Sequence, residues 1–335
     1  MMRCRVAIAG FGNVGSAVAM LLLSRRERFI RLYGKDVRLV AVCGSRAGTS
    51  NQSGLEKEDL EALDPGSSGA DFLLSSGADV LIEAGPTDFR TGGPGLDYIR
   101  SFLAAGRDAV VVSKGALVHS GRELRDLARQ TGATLRISGA TGAALPTIDL
   151  LEHALQGCSI LQIEGILNAT TNYLLDAMIT DGTSFSDALA HAQVAGFAEA
   201  DPRYDVEGWD TACKMLLLAN FGLNADLMVD DITVDGIQDV TSAMINEWRQ
   251  SRQVPKLVGR LWYEEACPRI RVGIEALSVD DVLAQVRGKN KAIRISTDTM
   301  GEITTFGCGT EPTATAAAAL KDLERILASR TASVS

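Results

Sequence analysis

Near its amino terminus the chain reads Gly10-Phe11-Gly12-Asn13-Val14-Gly15, directly after the short apolar segment Arg5–Ala9. An apolar pattern typical of a helix follows and continues to about Tyr33. A G-x-G-x-x-G loop between a strand and a helix is typical of dinucleotide-binding folds. Its three glycines permit a tight turn, a close approach of the backbone to a pyrophosphate, and close packing of helix on strand. We therefore predict that these six residues bind a dinucleotide.

The first half of the chain alternates strand-like and helix-like segments, which predicts βαβ units and a parallel sheet. After about residue 150 the pattern changes to a few helices and several strands without that alternation. We therefore expect an α/β protein with a Rossmann-type doubly wound parallel sheet in residues 1–146. Residues 147–306 are expected to form a second, α+β domain.

The end of the second predicted strand bears on the choice of cofactor. An acidic residue at this place would hold the ribose hydroxyls of NAD, whereas an arginine accommodates the 2′-phosphate of NADP. The chain reads Cys43-Gly44-Ser45-Arg46 and has no carboxylate here. Ser45 and Arg46 therefore favour NADP(H), with NAD(H) as the other option. The alternative for Arg46 is an ordinary exposed loop arginine.

Two further segments follow predicted strands of the same sheet. Pro86 and Thr87 come after the strand that starts near Asp79, and Ser113 and Lys114 come after the next one. Ligands of such sheets bind outside the carboxyl ends of the strands. We expect these four residues to line the cofactor. Lys114 could also reach the reacting carbonyl of the substrate or the nicotinamide ribose. Its alternative is a surface lysine at a strand end.

The stretch 196–214 combines many acids with a single lysine: Glu199, Asp201, Asp205, Glu207, Asp210 and Lys214. Asp210 and Lys214 are four residues apart, which places them on one face of a helix. Apolar residues follow at once, so the pair lies where a helix enters a core. Carboxylates and an ammonium in that position suit the binding of a small zwitterion and the movement of a proton. The alternative is a solvated helical ion pair.

Three stretches resemble the homoserine dehydrogenase family. The first is the order Glu199, Asp201-Pro202, Asp205, Gly208, Asp210, Lys214. The second is the segment 165–173, Gly-Ile-Leu-Asn-Ala-Thr-Thr-Asn-Tyr, with Ala169 where the family usually has glycine. The third is Val112-Ser113-Lys114-Gly115. The resemblance implies NAD(P)-dependent interconversion of L-aspartate 4-semialdehyde and L-homoserine, on the route to threonine and methionine.

The resemblance also implies roles for particular residues. Glu199 and Asp205 are candidates for binding the amino-acid end of the substrate, and Thr170 adds a hydroxyl. Lys214 and Lys114 are the candidates for the aldehyde oxygen, where an ammonium can stabilise negative charge and supply a proton. Asp210 would orient Lys214. We rank Lys214 first because its carboxylate partner lies one helical turn away, but which lysine donates the proton stays open here.

The resemblance extends to a cation and to the assembly. The segment 138–146 is similar to one that holds a structural Na+ or K+ through a glutamate and backbone carbonyls. Ser138 stands at the glutamate position, while Thr141, Ala143 and Leu145 keep their carbonyls. The C-terminal segment 307–330 would complete the nucleotide domain, and residues 147–306 would form a homodimer. We expect no regulatory amino-acid-binding domain and no fused kinase.

Composition excludes several other classes of function. The chain has 335 residues with 42 acidic and 33 basic side chains, a net charge of −9, which argues against binding nucleic acid or an anionic membrane. Six scattered cysteines without a Cys-x-x-Cys spacing favour reduced thiols and a cytoplasmic location. Two alternatives stay open: another two-domain enzyme such as an aspartate dehydrogenase, and a dinucleotide-sensing dimer without catalysis.

Overall fold

The structure, a computed structural model, describes residues 2–307, 309 and 311–332. The chain divides into two units by its internal contacts. The first unit comprises Met1–Ala144 together with Glu311–Ser335, and the second comprises Leu145–Thr310.

The first unit is built on a seven-stranded sheet with the order β4-β3-β2-β1-β5-β6-β7. Its strands are β1 (Met2–Ala9), β2 (Lys35–Cys43), β3 (Ala47–Ser50), β4 (Asp64–Pro65), β5 (Val80–Glu83), β6 (Asp108–Val111) and β7 (Leu135–Arg136). The five strands from β2 to β7 in this order are parallel, as predicted, and the strand order reverses between β1 and β5. At one edge β3 and β4 run antiparallel. Both are short and polar, so their sequence carries no alternation that would have predicted them.

Six helices follow or flank these strands: α1 (Asn13–Ser24), α2 (Arg26–Tyr33), α3 (Ala70–Ser75), α4 (Gly93–Ala104), α5 (Gly115–Thr131) and α6 (Ser138–Gly142). The single helix expected to end near Tyr33 is in fact two helices. The break is at Arg25, whose backbone leaves the helical region with φ −106° and ψ 11°.

The second unit has a six-stranded sheet with the order β13-β12-β8-β10-β11-β9. Its strands are β8 (Ile160–Ile166), β9 (Ile232–Val234), β10 (Gln253–Glu264), β11 (Cys267–Ser278), β12 (Lys291–Thr297) and β13 (Glu302–Gly307). All neighbours pair antiparallel except β9 and β11, which are parallel. The sheet is therefore mixed, where the sequence pattern predicts a mixed or antiparallel sheet.

Five α-helices belong to the second unit: α7 (Ala169–Asp181), α8 (Phe185–Val194), α9 (Arg203–Val206), α10 (Trp209–Leu217) and α11 (Ser242–Gln250). Helix α10 lies directly on β10, because a Cβ added to Gly259 would be only 2.6 Å from the Met215 side chain. The sequence pattern also predicts helices at 146–155 and 210–221, and the structure corrects both. The segment 146–155 forms a π-helical turn at Leu150–Ala154, and α10 gives way after Leu217 to a second π turn at Leu218–Gly222.

The chain then returns to the first unit as helix α12 (Pro312–Ala332). Its buried face carries Ala316, Ala319, Leu320 and Leu323, which join the apolar core formed around β1 and α1. The alanines keep that face narrow and allow helices to approach closely. Among the helices of the described ranges, none has both the length and the apolar character needed to cross a membrane.

Candidate active site

The glycine loop has the geometry that its three glycines predict. Gly10 has φ +89°, and a Cβ on it would lie 2.3 Å from the backbone nitrogen of Gly85. A Cβ on Gly15 would lie 2.1 Å from the carbonyl oxygen of Gly10. A Cβ on Gly12 would meet no atom of the described residues within 4 Å. Close packing therefore explains why Gly10 and Gly15 are glycines. Gly12 instead leaves open space beside the start of α1, where backbone N–H groups attract phosphate.

The other residues of the loop contribute in different ways. The side chains of Phe11 and Val14 pack against the apolar core of the first unit. Both side chains are only partly buried. Asn13 is exposed and begins α1. The Gly10 N–H donates a 2.8 Å hydrogen bond to the Cys43 carbonyl, which ties the loop to the end of β2.

The residues after β2 remain compatible with a phosphate contact. Ser45 and Arg46 are both exposed in the turn between β2 and β3. The carbonyl of Arg46 accepts a 2.8 Å hydrogen bond from the Gly66 N–H, which fixes the backbone of the turn. Within the described part of the chain, the Arg46 guanidinium forms no ion pair.

The loops after β5 and β6 meet at a buried carboxylate that sequence reasoning missed. Glu83, the last residue of β5, is 1% exposed. It accepts a 2.5 Å hydrogen bond from Ser113 Oγ and a 2.8 Å hydrogen bond from the Gly85 N–H. Burial raises the pKa of Glu83, while these hydrogen bonds act in the opposite direction. Pro86 and Thr87 are exposed beyond Gly85, and Lys114 is half-buried just before α5.

The second unit contains the lysine–carboxylate pair. Lys214 Nζ lies 2.6 Å from Asp210 Oδ2, one turn apart on α10. The two residues are 9% and 6% exposed, so the alternative of a solvated surface pair is wrong. Lys214 Nζ also donates a 2.8 Å hydrogen bond to the Leu167 carbonyl at the end of β8. Two of the three N–H donors of this ammonium are thereby used within the protein.

Asn168 connects the pair to the rest of the site. Its Nδ2 donates hydrogen bonds of 2.8 Å to Asp210 Oδ2 and 2.7 Å to Asp205 Oδ1. Its Oδ1 accepts from the Thr171 N–H at 2.9 Å and so caps helix α7. Both ends of this amide are used, which fixes its orientation. Asn168 lies in the 165–173 motif, but the motif by itself predicts no role for it.

Asp205 and Thr170 join the same network. The Asp205 carboxylate accepts the hydrogen bond from Asn168. Thr170 Oγ1 donates to the Phe197 carbonyl at 3.5 Å and lies close enough to Asp205 to act on its pKa. Burial raises the pKa of Asp205, and the nearby charge of Asp210 acts in the same direction. An ammonium group placed beside Asp205 would favour its charged form. The structure thus brings together four of the five residues predicted to bind the substrate or act on it: Thr170, Asp205, Asp210 and Lys214.

Glu199 is the residue that the structure leaves outside this network. Its side chain is exposed in the segment between α8 and α9. The hydrogen bond that it receives, from Gln193 Nε2 at 3.0 Å, goes to its backbone carbonyl.

The segment predicted to hold a cation has an unexpected acidic partner. Ser138 Oγ donates a 2.6 Å hydrogen bond to Asp322 Oδ1, and the Ser138 N–H donates a 2.9 Å hydrogen bond to Oδ2. Asp322 lies on α12 and is fully buried. A carboxylate from a distant part of the sequence thus lies beside Ser138. Thr141 and Ala143 follow in the same segment, and Ala143 has a positive φ of 53°.

A parallel sheet with a glycine loop at its strand reversal, and a domain that buries a lysine–carboxylate pair, define a dinucleotide-dependent oxidoreductase. A family model described as homoserine dehydrogenase matches residues 146–323, and one described as its NAD-binding domain matches residues 10–138. The chain therefore belongs to the homoserine dehydrogenase family.

Individual relatives agree with this assignment. The NAD(+)-dependent homoserine dehydrogenase of Pseudomonas canavaninivorans is 34% identical, with 99% of this chain and 98% of the relative covered. The homoserine dehydrogenase of Methanocaldococcus jannaschii is 30% identical, with coverage of 96% and 98%. The crystal structure of a putative homoserine dehydrogenase from Archaeoglobus fulgidus has a TM-score of 0.89 and 32% identity, covering 97% of this chain and 99% of that one.

The family fixes the reaction. The chain is an oxidoreductase of threonine and methionine biosynthesis that interconverts L-aspartate 4-semialdehyde and L-homoserine with a nicotinamide dinucleotide. This decides against the two alternatives that the sequence left open.

Proposed function

We propose that Lys214 is the proton donor to the aldehyde oxygen of aspartate 4-semialdehyde, and that Asp210 holds it charged and oriented. The observation that carries this proposal is the buried 2.6 Å pair, with Lys214 Nζ bonded also to the Leu167 carbonyl. A nicotinamide cofactor supplies the hydride when it is bound. Lys214 then gives one N–H proton to the oxygen as negative charge develops on it, and the neutral amine is reprotonated from water.

We assign the amino-acid end of the substrate to Asp205, Thr170 and Glu199. Asp205 offers a carboxylate held by Asn168, and burial and the nearby Asp210 carboxylate raise its pKa. Among the described residues, Asp205 forms no ion pair with a positive charge. The α-ammonium of the substrate would supply that charge. Glu199 is exposed and lies outside the hydrogen-bonded network.

For the cofactor we propose a preference for NADP(H), with NAD(H) accepted less well. Support comes from the exposed Ser45 and Arg46 and from the missing carboxylate after β2. An arginine fork binds a phosphate with charge-assisted hydrogen bonds. The Pseudomonas canavaninivorans relative is described as NAD(+)-dependent, and the affinities of this chain for NADPH and NADH test the preference.

We further propose a structural Na+ or K+ held by the backbone carbonyls of Thr141, Ala143 and Leu145. The buried Asp322 beside Ser138 supports this, because it provides negative charge next to the segment. In the described residues, no group of three or more His, Cys, Asp or Glu side chains is placed to hold a metal.

For the assembly we propose a homodimer formed through the second unit, and for the location the cytoplasm. Phe306 on the edge strand β13 is 67% exposed, and Trp262 is half-buried. The strand register places both on the same face of the sheet. The five cysteines in the described ranges are free thiols, which fits a reducing compartment.

The experiment that tests the proton donor compares Lys214→Ala with Lys114→Ala. Oxidation of NADPH and of NADH is followed with L-aspartate 4-semialdehyde, together with the affinity for each cofactor. We expect Lys214→Ala to lower turnover by about 10²–10⁴-fold with unchanged cofactor affinity. Near-normal turnover of Lys214→Ala with a large loss in Lys114→Ala would move the role to Lys114.

A further inference from the structure

Glu83 is a buried carboxylate that the proposed chemistry does not use. It ends β5 beside β1 and β6, pairing with Ala9 on one side and Val111 on the other. It is therefore central in the sheet and at the edge where the strands' carboxyl ends meet. Burying a carboxylate is unfavourable, and burial raises the pKa of Glu83 more than its hydrogen bonds lower it.

The two carboxylate oxygens of Glu83 serve two different loops. Oε1 accepts from the Gly85 N–H at 2.8 Å, at the start of the loop that carries Pro86 and Thr87. Oε2 accepts from Ser113 Oγ at 2.5 Å, one residue before Lys114. One side chain thus holds both segments that follow β5 and β6.

The same carboxylate also lies against helix α4. A Cβ on Gly95, in the first turn of α4, would be 3.0 Å from Glu83 Oε1. The loops pack on each other as well, since a Cβ on Gly115 would lie 2.4 Å from the carbonyl oxygen of Asp88. In turn, Gly85 lies against Gly10 of the glycine loop. The position of Gly85 therefore depends on both the glycine loop and Glu83.

We propose that Glu83 is a positioning residue for the dinucleotide, which joins the loops after β5 and β6 through hydrogen bonds to Gly85 and Ser113. The proposal rests on the cofactor function assigned above. Glu83 itself is fully enclosed, so it acts through these loops and not by contact with the ligand. Its contribution is a side chain of the right length, with one acceptor oxygen for the Gly85 N–H and one for Ser113 Oγ.

The test compares variants that keep or remove this bridge. Glu83→Gln keeps the length and one acceptor for the Gly85 N–H, and its amide can donate to Ser113 Oγ. Glu83→Asp keeps the acid but is one methylene too short to reach both partners. Glu83→Ala removes the bridge. The dissociation constants of NADPH and NADH are measured by fluorescence titration, and melting temperature is measured on the same samples.

We expect the dissociation constants of Glu83→Gln for each cofactor to lie within about threefold of those of the parent. Those of Glu83→Asp and Glu83→Ala should be about tenfold higher or more, as for the loss of one or two hydrogen bonds. The matched control is Asp108→Asn. Asp108 is a buried carboxylate of the same sheet, 1% exposed, at the opposite end of β6, where it accepts from the Thr134 N–H at 2.9 Å. Asp108→Asn should have a lower melting temperature than the parent and the same dissociation constants for NADPH and NADH.

The outcomes separate the two proposals. If the parent protein binds neither NADPH nor NADH, the cofactor assignment fails and this inference fails with it. If the parent binds and Glu83→Asp binds equally well, only the positioning role is overturned. It is also overturned if Glu83→Gln loses as much affinity as Glu83→Asp, because then the charge matters and the bridge does not. Should Glu83→Ala not fold, the Gln and Asp variants decide the question.

Discussion

The side-chain amide of Asn168 donates a 2.8 Å hydrogen bond to Asp210 Oδ2, the same oxygen that lies 2.6 Å from Lys214 Nζ. Two donors therefore converge on one carboxylate oxygen. The rotamer of Asp210 is fixed from both sides, and with it the position of the ammonium. Since Asn168 also binds Asp205, one amide connects the residues assigned to proton transfer with those assigned to substrate binding.

Replacing Asn168 tests this connection. Asn168→Ser should keep the cap of α7, because serine is also a good N-cap, but lose the donor to Asp205 and Asp210. We expect turnover to fall by about tenfold or more, the scale of losing a hydrogen bond to a charged group. Ser184→Ala is the control, since it removes the cap of α8, a 3.1 Å bond to the Asp187 N–H. It should cost about 1 kcal/mol of stability and leave turnover unchanged. Equal turnover in both variants would contradict the role of Asn168.

The Asp210–Lys214 pair should matter for stability as well as for turnover. Its spacing alone suggests a surface pair that contributes a few tenths of a kcal/mol, but the structure buries both side chains. Removing one partner leaves an unpaired buried charge, so Lys214→Ala should lose up to about 3–5 kcal/mol of unfolding free energy. Asp210→Asn should lower turnover too, and the two losses of turnover should not add.

Urea unfolding and steady-state assays of the single and double variants check these effects. Arg100→Ala provides an exposed comparison, because Arg100 pairs with Glu123 at 2.6 Å on the surface of α4 and α5. It should lose less than about 1 kcal/mol. A stability loss in Lys214→Ala no greater than in Arg100→Ala would show that the pair is not buried in solution.

Arg46 should select the cofactor. Arg46→Ala should weaken NADP(H) binding by about tenfold or more and leave NAD(H) binding nearly unchanged, since a charge-assisted contact contributes about 1.5–3 kcal/mol. Lys57→Ala, at another exposed cation of the first unit, controls for the change in net charge. Calorimetric titration with NADPH and NADH gives both affinities. Equal affinities of the parent protein for the two cofactors would rule out the preference.

Lys256 should make stability depend on pH above about pH 8. Its ammonium is fully buried between Asn172 Oδ1 and the Val286 carbonyl, and burial lowers its pKa from 10.5 to about 8. Between these values the unfolded chain keeps a proton that the folded chain has lost, so the free energy of unfolding rises with pH in this window. The free energy of unfolding of the parent, minus that of Lys256→Met, should rise by about 2 kcal/mol between about pH 8 and about pH 9.5.

Urea unfolding of parent and variant across that range measures the effect, because other groups titrate in both proteins and cancel in the difference. Asp176 raises the pKa of Lys256 and Arg287 lowers it, and both residues are present in the parent and in the variant. If the difference in unfolding free energy between parent and variant does not change with pH, or falls as pH rises, the lowered pKa of Lys256 is refuted.

The proposed dimer should depend on the second unit. Phe306→Asp places a charge at a 67% exposed position of β13 and should shift sedimentation of the full chain at micromolar concentration towards the monomer. Leu32→Asp, at a 49% exposed position of α2 in the first unit, should leave the assembly unchanged. A parent protein that sediments as a monomer would exclude the homodimer.

The sequence alone determined the features that depend on short-range patterns. The glycine spacing after an apolar segment predicts the loop at Gly10–Gly15, because tight turns need particular residues at fixed offsets. The four-residue spacing of Asp210 and Lys214 predicts their contact, because it is one turn of a helix. Alternation of strands and helices predicts the parallel sheet. It cannot predict β3 and β4, which are too short and too polar to carry a pattern.

Tertiary structure decided which groups are buried and which distant residues meet. Asn168 reaches Asp205 and Asp210 across 37 and 42 positions, and Glu83 reaches Ser113 across 30. No local periodicity encodes such contacts, because they depend on how strands pair and how helices pack on them. Burial follows the same rule: the four-residue spacing predicts the contact between Asp210 and Lys214, but only the packing around α10 removes the pair from solvent, where its electrostatic interaction is stronger.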